Sequence, residues 1–224
     1  MKKTAIVTGA AGNLGSAVIK KFEAEGYSVT GIYHRTPLPG ATPGNTQVIT
    51  ADLTNALETE TAITQWVEKH GNIDVAVLTA GGFKAGNIFE TDSDLLQSQY
   101  QLNFESTYFI ARQLFIQMHK QNSGTLILTS SQSGLHVNRS SGSLAYALSK
   151  SLVFQLGQAL QTQAKGTDVT VKVLAPATID TPQNRQAMPD ADTSNWITPA
   201  EIAQVLHYHC TDTGRLEQQL VIKV

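Results

Sequence analysis

Apolar positions along the chain alternate between short continuous runs and helical spacing. Ala5-Ile6-Val7 is a compact apolar run, and Leu14, Ala17, Val18 and Phe22 follow at intervals of three and four. The pattern predicts a first strand, a turn over Thr8–Gly12 and a helix to about Gly26, a residue suited to a C-terminal stop. Tyr27–Tyr33 reads as a second strand, and a Pro/Gly/Thr-rich loop at 36–46 leads to a third at Thr46–Thr50. Residues 55–69 predict a helix whose apolar stripe is Leu57, Ile63, Trp66 and Val67, with Trp66 in the core. Ile73–Leu78 reads as a buried fourth strand ending at Thr79-Ala80-Gly81-Gly82. Beyond it, residues 92–121 predict one long helix, Gly124–Ser130 a fifth strand and 145–164 another helix. Val169–Leu174 reads as a sixth strand, 199–210 as a helix and Gln219–Ile222 as a last short strand. Six or seven strands alternating with helices predict an α/β fold, a doubly wound, mostly parallel sheet with helices on both faces. No shift in composition marks a boundary, so residues 1–224 read as one domain.

Composition narrows the function. The 224 residues are 41% hydrophobic and 15% charged, which excludes collagen-like, coiled-coil and disordered chains. Sixteen basic and eighteen acidic residues give a net charge of −2, without the basic footprint that nucleic acid or an anionic membrane requires. No apolar run is long enough to span a bilayer. The start, Met1-Lys2-Lys3, imitates a secretory signal, but Thr8-Gly9 and Gly12-Asn13 interrupt the apolar stretch and the segment reads as a strand. A single cysteine, Cys210, fits a reducing cytoplasm. No metal site is expected, because His207, His209 and Cys210 lie at spacings that do not converge on a helix.

The turn after the first strand carries the first chemistry. In Thr8-Gly9-Ala10-Ala11-Gly12-Asn13-Leu14-Gly15, Gly9 permits a sharp turn and Gly12 lets a pyrophosphate approach the backbone. Gly15 lets the helix pack against the sheet, while the helix N–H groups face the anion. The spacing is G-x-x-G-x-x-G, and its place in the first strand–helix unit points to a dinucleotide in a Rossmann-type fold. The second strand ends Ile32-Tyr33-His34-Arg35, without the carboxylate that would accept both adenosine-ribose hydroxyls in an NAD site. A guanidinium binds a 2′-phosphate bidentately, so His34 and Arg35 favour NADP, with NAD as the alternative.

Tyr146 and Lys150 lie four residues apart on a predicted helix and share a face. An ammonium beside a phenol is expected to lower its pKa and make it a usable acid or base. Such a pair arises by chance too, and its weight comes from placement. It opens the helix after the fifth strand, which ends Leu128-Thr129-Ser130-Ser131, and ligands of open parallel sheets sit at the carboxyl ends of strands.

Over nearly its full length the chain resembles the short-chain dehydrogenase/reductases. The matching residues are Thr8–Gly15, Asp52-Leu53, Ala80-Gly81-Gly82, Asn103, Ser131, Tyr146 with Lys150, and Pro176 to Thr181, including Ala177 and Thr178. The resemblance implies that Asp52 and Leu53 flank the adenine, that Ala80, Gly81 and Gly82 line its ribose, and that Lys150 also binds the nicotinamide ribose. It implies Tyr146 as acid/base, Ser131 as a hydrogen-bond donor to the substrate oxygen, and Asn103 as holder of a water relaying protons to Lys150. It also implies a homodimer or homotetramer paired through the helices at 92–121 and 145–164.

Two further stretches, 80–87 and 180–192 continued by Ser194-Asn195-Trp196, look like the quinonoid dihydropteridine reductases. So does the separation of Ser131 from Tyr146; Ser133 stands at the separation commoner elsewhere in the family and is the reserve serine. Those reductases lack the serine and asparagine and carry an acid after the second strand, whereas this chain has Ser131, Asn103 and Arg35. The leading expectation is therefore hydride transfer between NADP(H) and a small carbonyl-type substrate, with dihydropteridine reduction and a non-catalytic nucleotide sensor as alternatives. Phe83 and Trp196 lie on loops over the expected pocket and could stack on a planar substrate, and Ser140–Ser143 reads as a flexible loop beside it.

Overall fold

The computed structural model describes residues 2–35, 37, 44, 46–217 and 219–224. Apart from Pro37, Gly44 and Thr46, the loop expected at 36–46 lies outside the described residues. The strands are β1 (Thr4–Thr8), β2 (Ser28–Tyr33), β3 (Gln47–Thr50), β4 (Val75–Leu78), β5 (Ser123–Thr129), β6 (Asp168–Ala175) and β7 (Val221–Lys223). All pair in parallel in the order β3-β2-β1-β4-β5-β6-β7, so the chain reverses direction across the sheet between β1 and β4. That reversal opens a crevice at the carboxyl ends of β1 and β4.

Strand alternation divides the core between the two faces. Ile6, Ala76, Leu78, Leu126 and Leu128 pack on one side, against α2 (Ala56–His70), α4 (Ser106–Lys120) and α6 (Leu144–Gln163). Ala5, Val7, Val75, Val77 and Ile127 pack on the other, against α1 (Asn13–Ala24) and α8 (Pro199–Tyr208). The helix ends follow from local chemistry. The Asn55 side chain caps α2 by accepting from Leu57 and Glu58 N–H, and Thr198 with Glu201 forms a capping box on α8, with Pro199 in its first turn.

The helix expected at 92–121 is interrupted. It consists of α3 (Ser93–Gln99), a wide π-helical turn at Tyr100–Glu105, and α4. The cause is Asn103, which holds the backbone of Gly82 from both sides and widens the turn to reach it. Three short helices also escape the periodicity: α5 (Gln132–Leu135), α7 (Pro182–Ala187) and α9 (Asp212–Arg215). No helix is long and apolar enough to cross a membrane, and no metal-ligating cluster occurs among the described residues. His207 packs edge-on against Phe22 and Tyr27, and burial pushes the Cys210 thiol up to about 12.

Candidate active site

At the crevice, Gly9 takes φ +61°, and a Cβ there would lie 2.9 Å from Ala80 N. A Cβ on Gly15 would lie 2.2 Å from the Gly9 carbonyl oxygen, so α1 approaches the turn as closely as it does only with glycine at both positions. Gly12 N–H closes the turn onto Gly9 O at 2.8 Å. Gly12 is also the N-cap of α1, and no side chain caps the helix, which leaves its first N–H groups facing the crevice. Thr79 Oγ1 donates to Thr8 O at 2.6 Å, and Thr8 Oγ1 accepts from Ala80 N at 3.1 Å. These bonds tie the turns after β1 and β4 into one floor.

The floor opens into a cleft of about 400 Å³. Of the expected coenzyme residues, Gly9, Gly12, His34, Asp52, Leu53, Ala80 and Gly81 line it. Asn13, Leu14 and Gly15, at the start of α1, and Gly82, in the turn after β4, lie beside it, and Arg35 is exposed beyond its lining. Tyr33, Thr54, Leu102 and Ser106 line it as well, and sequence reasoning assigned them no role. At the adenosine end His34 Nδ1 stands 3.9 Å from Asp52 Oδ1. Hydrogen bonds from the Thr54 hydroxyl and N–H hold the Asp52 carboxyl below its usual range. Tyr33, at the strand end where an acid would mark NAD, belongs to the core cluster on the α1 side of the sheet, its ring edge over Gly31, and is only 3% exposed. Its hydroxyl has no partner among the described residues, and burial raises its pKa.

At the other end α6 presents Tyr146 in its first turn and Lys150 one turn later. Lys150 is 4% exposed and donates to Thr129 O at 2.9 Å; burial lowers its pKa to about 8. The expectation that this ammonium lowers the Tyr146 pKa is corrected. Burial pushes the phenol up, a hydrogen bond from Ser131 opposes the rise, and the lysine is drawn to the strand carbonyl instead. Ser131 caps α5, its Oγ accepting from Gly134 N at 3.0 Å, and Ser130 Oγ donates to Lys150 O at 2.7 Å. The serine bonded to Tyr146 is thus Ser131, while Ser133 lies further along α5, half-buried.

The π turn delivers Asn103 to the same place. Its Oδ1 accepts from Gly82 N at 2.9 Å, and its Nδ2 donates to Gly82 O at 3.0 Å and Ser149 Oγ at 3.1 Å. Ser149 Oγ in turn donates to Tyr146 O at 2.8 Å, and Gln99 Oε1 stands 3.3 Å from the Asn103 amide. A Cβ on Gly81 would meet Asn103 Oδ1 at 2.6 Å and Lys150 Nζ at 3.0 Å. The four expected catalytic side chains therefore converge beneath the β4 turn, with Gln99, Thr129 and Ser149 as supports that the sequence did not announce.

The segment after β6 closes the far side. Ala177 N donates to Val224 O at 2.8 Å, and Thr178 O accepts from Ile197 N at 3.3 Å. Thr181 caps α7 through Asn184 N, and Gln183 Oε1 accepts from Asn13 Nδ2 at 2.8 Å, so α7 reaches back to the start of α1. Trp196, half-buried, precedes Ile197, which pairs with Ile179 at the base of this flap. Phe83 is 64% exposed and meets the Tyr146 ring edge-on at 5.0 Å and 73°.

Comparison with known proteins gives a consistent picture. A profile of the family described as short chain dehydrogenase matches residues 3–192. The chain is 27% identical over 216 residues to a dihydropteridine reductase of Dictyostelium discoideum, covering 95% of this chain and 90% of that one. It is 23% identical over 219 residues to an uncharacterized oxidoreductase of Staphylococcus haemolyticus, covering 96% and 93%. Among solved structures, gox2181 superposes with a TM-score of 0.90 at 22% identity, covering 100% of this chain and 94% of its own. A short chain dehydrogenase from Bacillus anthracis superposes at 0.86 with 20% identity, covering 99% and 94%.

Proposed function

The chain belongs to the short chain dehydrogenase family of oxidoreductases, and from that premise we propose that it passes hydride between NADP(H) and a small carbonyl-type substrate, with Tyr146 as the acid/base. The observation carrying this reading is the convergence of Asn103, Ser131, Tyr146 and Lys150 beside the cleft. The residues present fit a dinucleotide: the glycine cradle has no room for a Cβ, and the first N–H groups of α1 are uncapped. Gly9, Gly12 and the start of α1 would hold the diphosphate, Asp52, Leu53 and Ala80 the adenosine, and Pro176–Thr181 the nicotinamide end. When bound, the coenzyme supplies or accepts the hydride.

The side chains do the rest. Gly134 N–H occupies the oxygen of Ser131 and aims its hydroxyl toward the Tyr146 phenol and the space before it. A carbonyl oxygen seated there would receive a hydrogen bond from Ser131 and the phenolic proton of Tyr146 as its charge develops. The raised pKa keeps Tyr146 protonated at neutral pH, as reduction requires. The resulting phenolate would be stabilised by the Ser131 hydroxyl, which turns to it from the product alcohol. Phe83, exposed and edge-on to Tyr146, favours a substrate with a flat ring, and this keeps dihydropteridine reduction as the second reading. Assay of NADPH oxidation with carbonyls and with quinonoid dihydropterin separates the two. Coenzyme binding with no turnover on either would point to a sensor.

Coenzyme preference is tested by titration. Arg35 supplies the fixed charge expected at a 2′-phosphate, and one charge-assisted contact is worth ~1.5–3 kcal/mol, about ten- to a hundredfold in affinity. Arg35→Ala is expected to weaken NADPH binding by that factor and leave NADH nearly unchanged; tighter NADH binding by the parent protein overturns the assignment. Tyr33→Asp is a poorer test, because it removes a buried ring.

The pH dependence follows from Lys150. Its ammonium is present below about pH 8 and lost above it, so kcat/KM for the coenzyme should fall as pH rises through that value. Lys150→Met should abolish the limb, and a flat profile from pH 7 to 9.5 in the parent enzyme would remove the lysine from coenzyme binding.

Exposed apolar residues on α3, the π turn and α4 (Leu96, Tyr100, Tyr108, Ile116), with Leu148 on α6, support a homodimer or homotetramer, which sedimentation would measure. A single buried cysteine suits the cytoplasm, where fractionation of cells would find the protein.

A further inference from the structure

Where β5 and β6 part, one side chain spans the gap. Their pairing ends at Thr129 with Leu174, followed by one more bond from Ser130 N to Leu174 O at 2.8 Å. Beyond that point β5 turns into α5, whose N-cap is Ser131, and β6 runs into Pro176–Thr181. Pro176 has no N–H, so it cannot donate to extend the pairing. Gln132 supplies both donors instead: its backbone N–H reaches Pro176 O at 3.1 Å, and its Nε2 reaches Ala175 O at 3.1 Å. The same four-residue helix is pinned from below. Ser130 Oγ bonds Lys150 O, and a Cβ on Gly134 would stand 2.7 Å from the Lys150 carbonyl carbon, leaving α5 no room to slide along α6.

We infer that Gln132 is a positioning residue, which fixes the distance between the proton-donating end of the site (Ser131 and Tyr146) and the segment that seats the nicotinamide. The inference rests on the function proposed above. Hydride and proton must reach adjacent atoms of one substrate, and reacting atoms need about 3–3.5 Å separation, so a displacement near 1 Å can cost about a hundredfold. Gln132 touches neither reactant. It sets that separation through two consecutive carbonyls of the opposing strand exit.

The test is Gln132→Met, which keeps side-chain length and the backbone bond and removes only the amide. The turnover number is expected to fall about 10- to 100-fold, with KM for the carbonyl substrate within about threefold of the parent. With NADPH deuterated at the transferred position, the isotope effect on kcat should rise as hydride transfer becomes rate-limiting. Hydrogen exchange at Ala177 and Thr178 should quicken, while the β5 and β6 ladders keep their protection. Gln132→Asn, whose amide stops short of Ala175 O, should behave the same way and guards against a folding defect peculiar to methionine. A parent-like kcat and unchanged exchange at Ala177 would overturn the inference. So would exchange that quickens equally through both ladders, since that is a loss of stability alone. If the parent protein turns over no substrate with either coenzyme, the functional reading fails on its own, and the exchange measurement still decides whether Gln132 holds the loop.

Discussion

Tyr146→Phe is expected to lose about 10²–10⁴ of the turnover rate while binding NADPH as tightly as the parent. The substitution removes one oxygen and keeps the ring, so the edge-on contact with Phe83 survives. It also leaves Lys150 on Thr129 O and the Ser149 bond to the residue's backbone carbonyl in place. What disappears is the phenolic proton proposed to pass to a substrate oxygen, on a group that burial holds protonated. Single-turnover rates with the best acceptor, beside a coenzyme titration by fluorescence, read the two quantities separately. A variant that reduces its substrate at the parent single-turnover rate would show that the proton comes from elsewhere.

Ser131→Ala should cost nearly as much, about 2.7–4 kcal/mol of transition-state stabilisation, or roughly a hundred- to a thousandfold in rate. Ser133→Ala should cost little. The two serines are separated by geometry: Ser131 caps α5 and bonds Tyr146, whereas Ser133 sits one residue inside that short helix. Loss of the cap brings its own penalty of about 0.5–2 kcal/mol in stability, which a thermal melt reports. Ser131→Thr keeps both hydroxyl and cap and should recover much of the rate. The reverse ranking of the two alanine variants would move the role to Ser133. Small and equal losses would favour a reactive quinonoid acceptor, which needs less polarisation of the oxygen.

The parts legible in the sequence are those whose cause is local. The glycine turn could be read because each glycine answers a contact within its own strand–helix unit, as the distances from Gly9 and Gly15 show. Tyr146 and Lys150 could be paired because helical spacing alone puts them on one face. The missed features have distant causes. The break in the helix at 92–121 comes from the Gly82 backbone, 21 residues away, which no periodicity in the helix records. The inward turn of Tyr33 depends on the packing of α1 over β2, and the pull of Thr129 O on Lys150 depends on where β5 ends. The second altered the electrostatic expectation for Tyr146 without altering the fold. Gln132 reads as an ordinary polar residue until the exit of β6 lies beside it.

The wide turn at Tyr100–Glu105 makes this stretch sensitive to length more than to composition. In this π turn residue i+5, rather than i+4, stands over residue i, so the turn holds one residue more than an α-helix would. Deleting one residue here would let the segment close into an unbroken α-helix, with α3 and α4 still in line but the wide turn gone. Asn103 would leave Gly82 and Leu102 would leave the cleft wall, because the wide turn is what carries them there. Exposed side chains such as Gln101 can change freely, whereas the residue count between α3 and α4 is fixed by the position of Gly82. In a library of single-residue deletions and substitutions, exposed positions such as 101 should therefore tolerate many replacements, Asn103 few, and the whole of 100–105 almost no gaps.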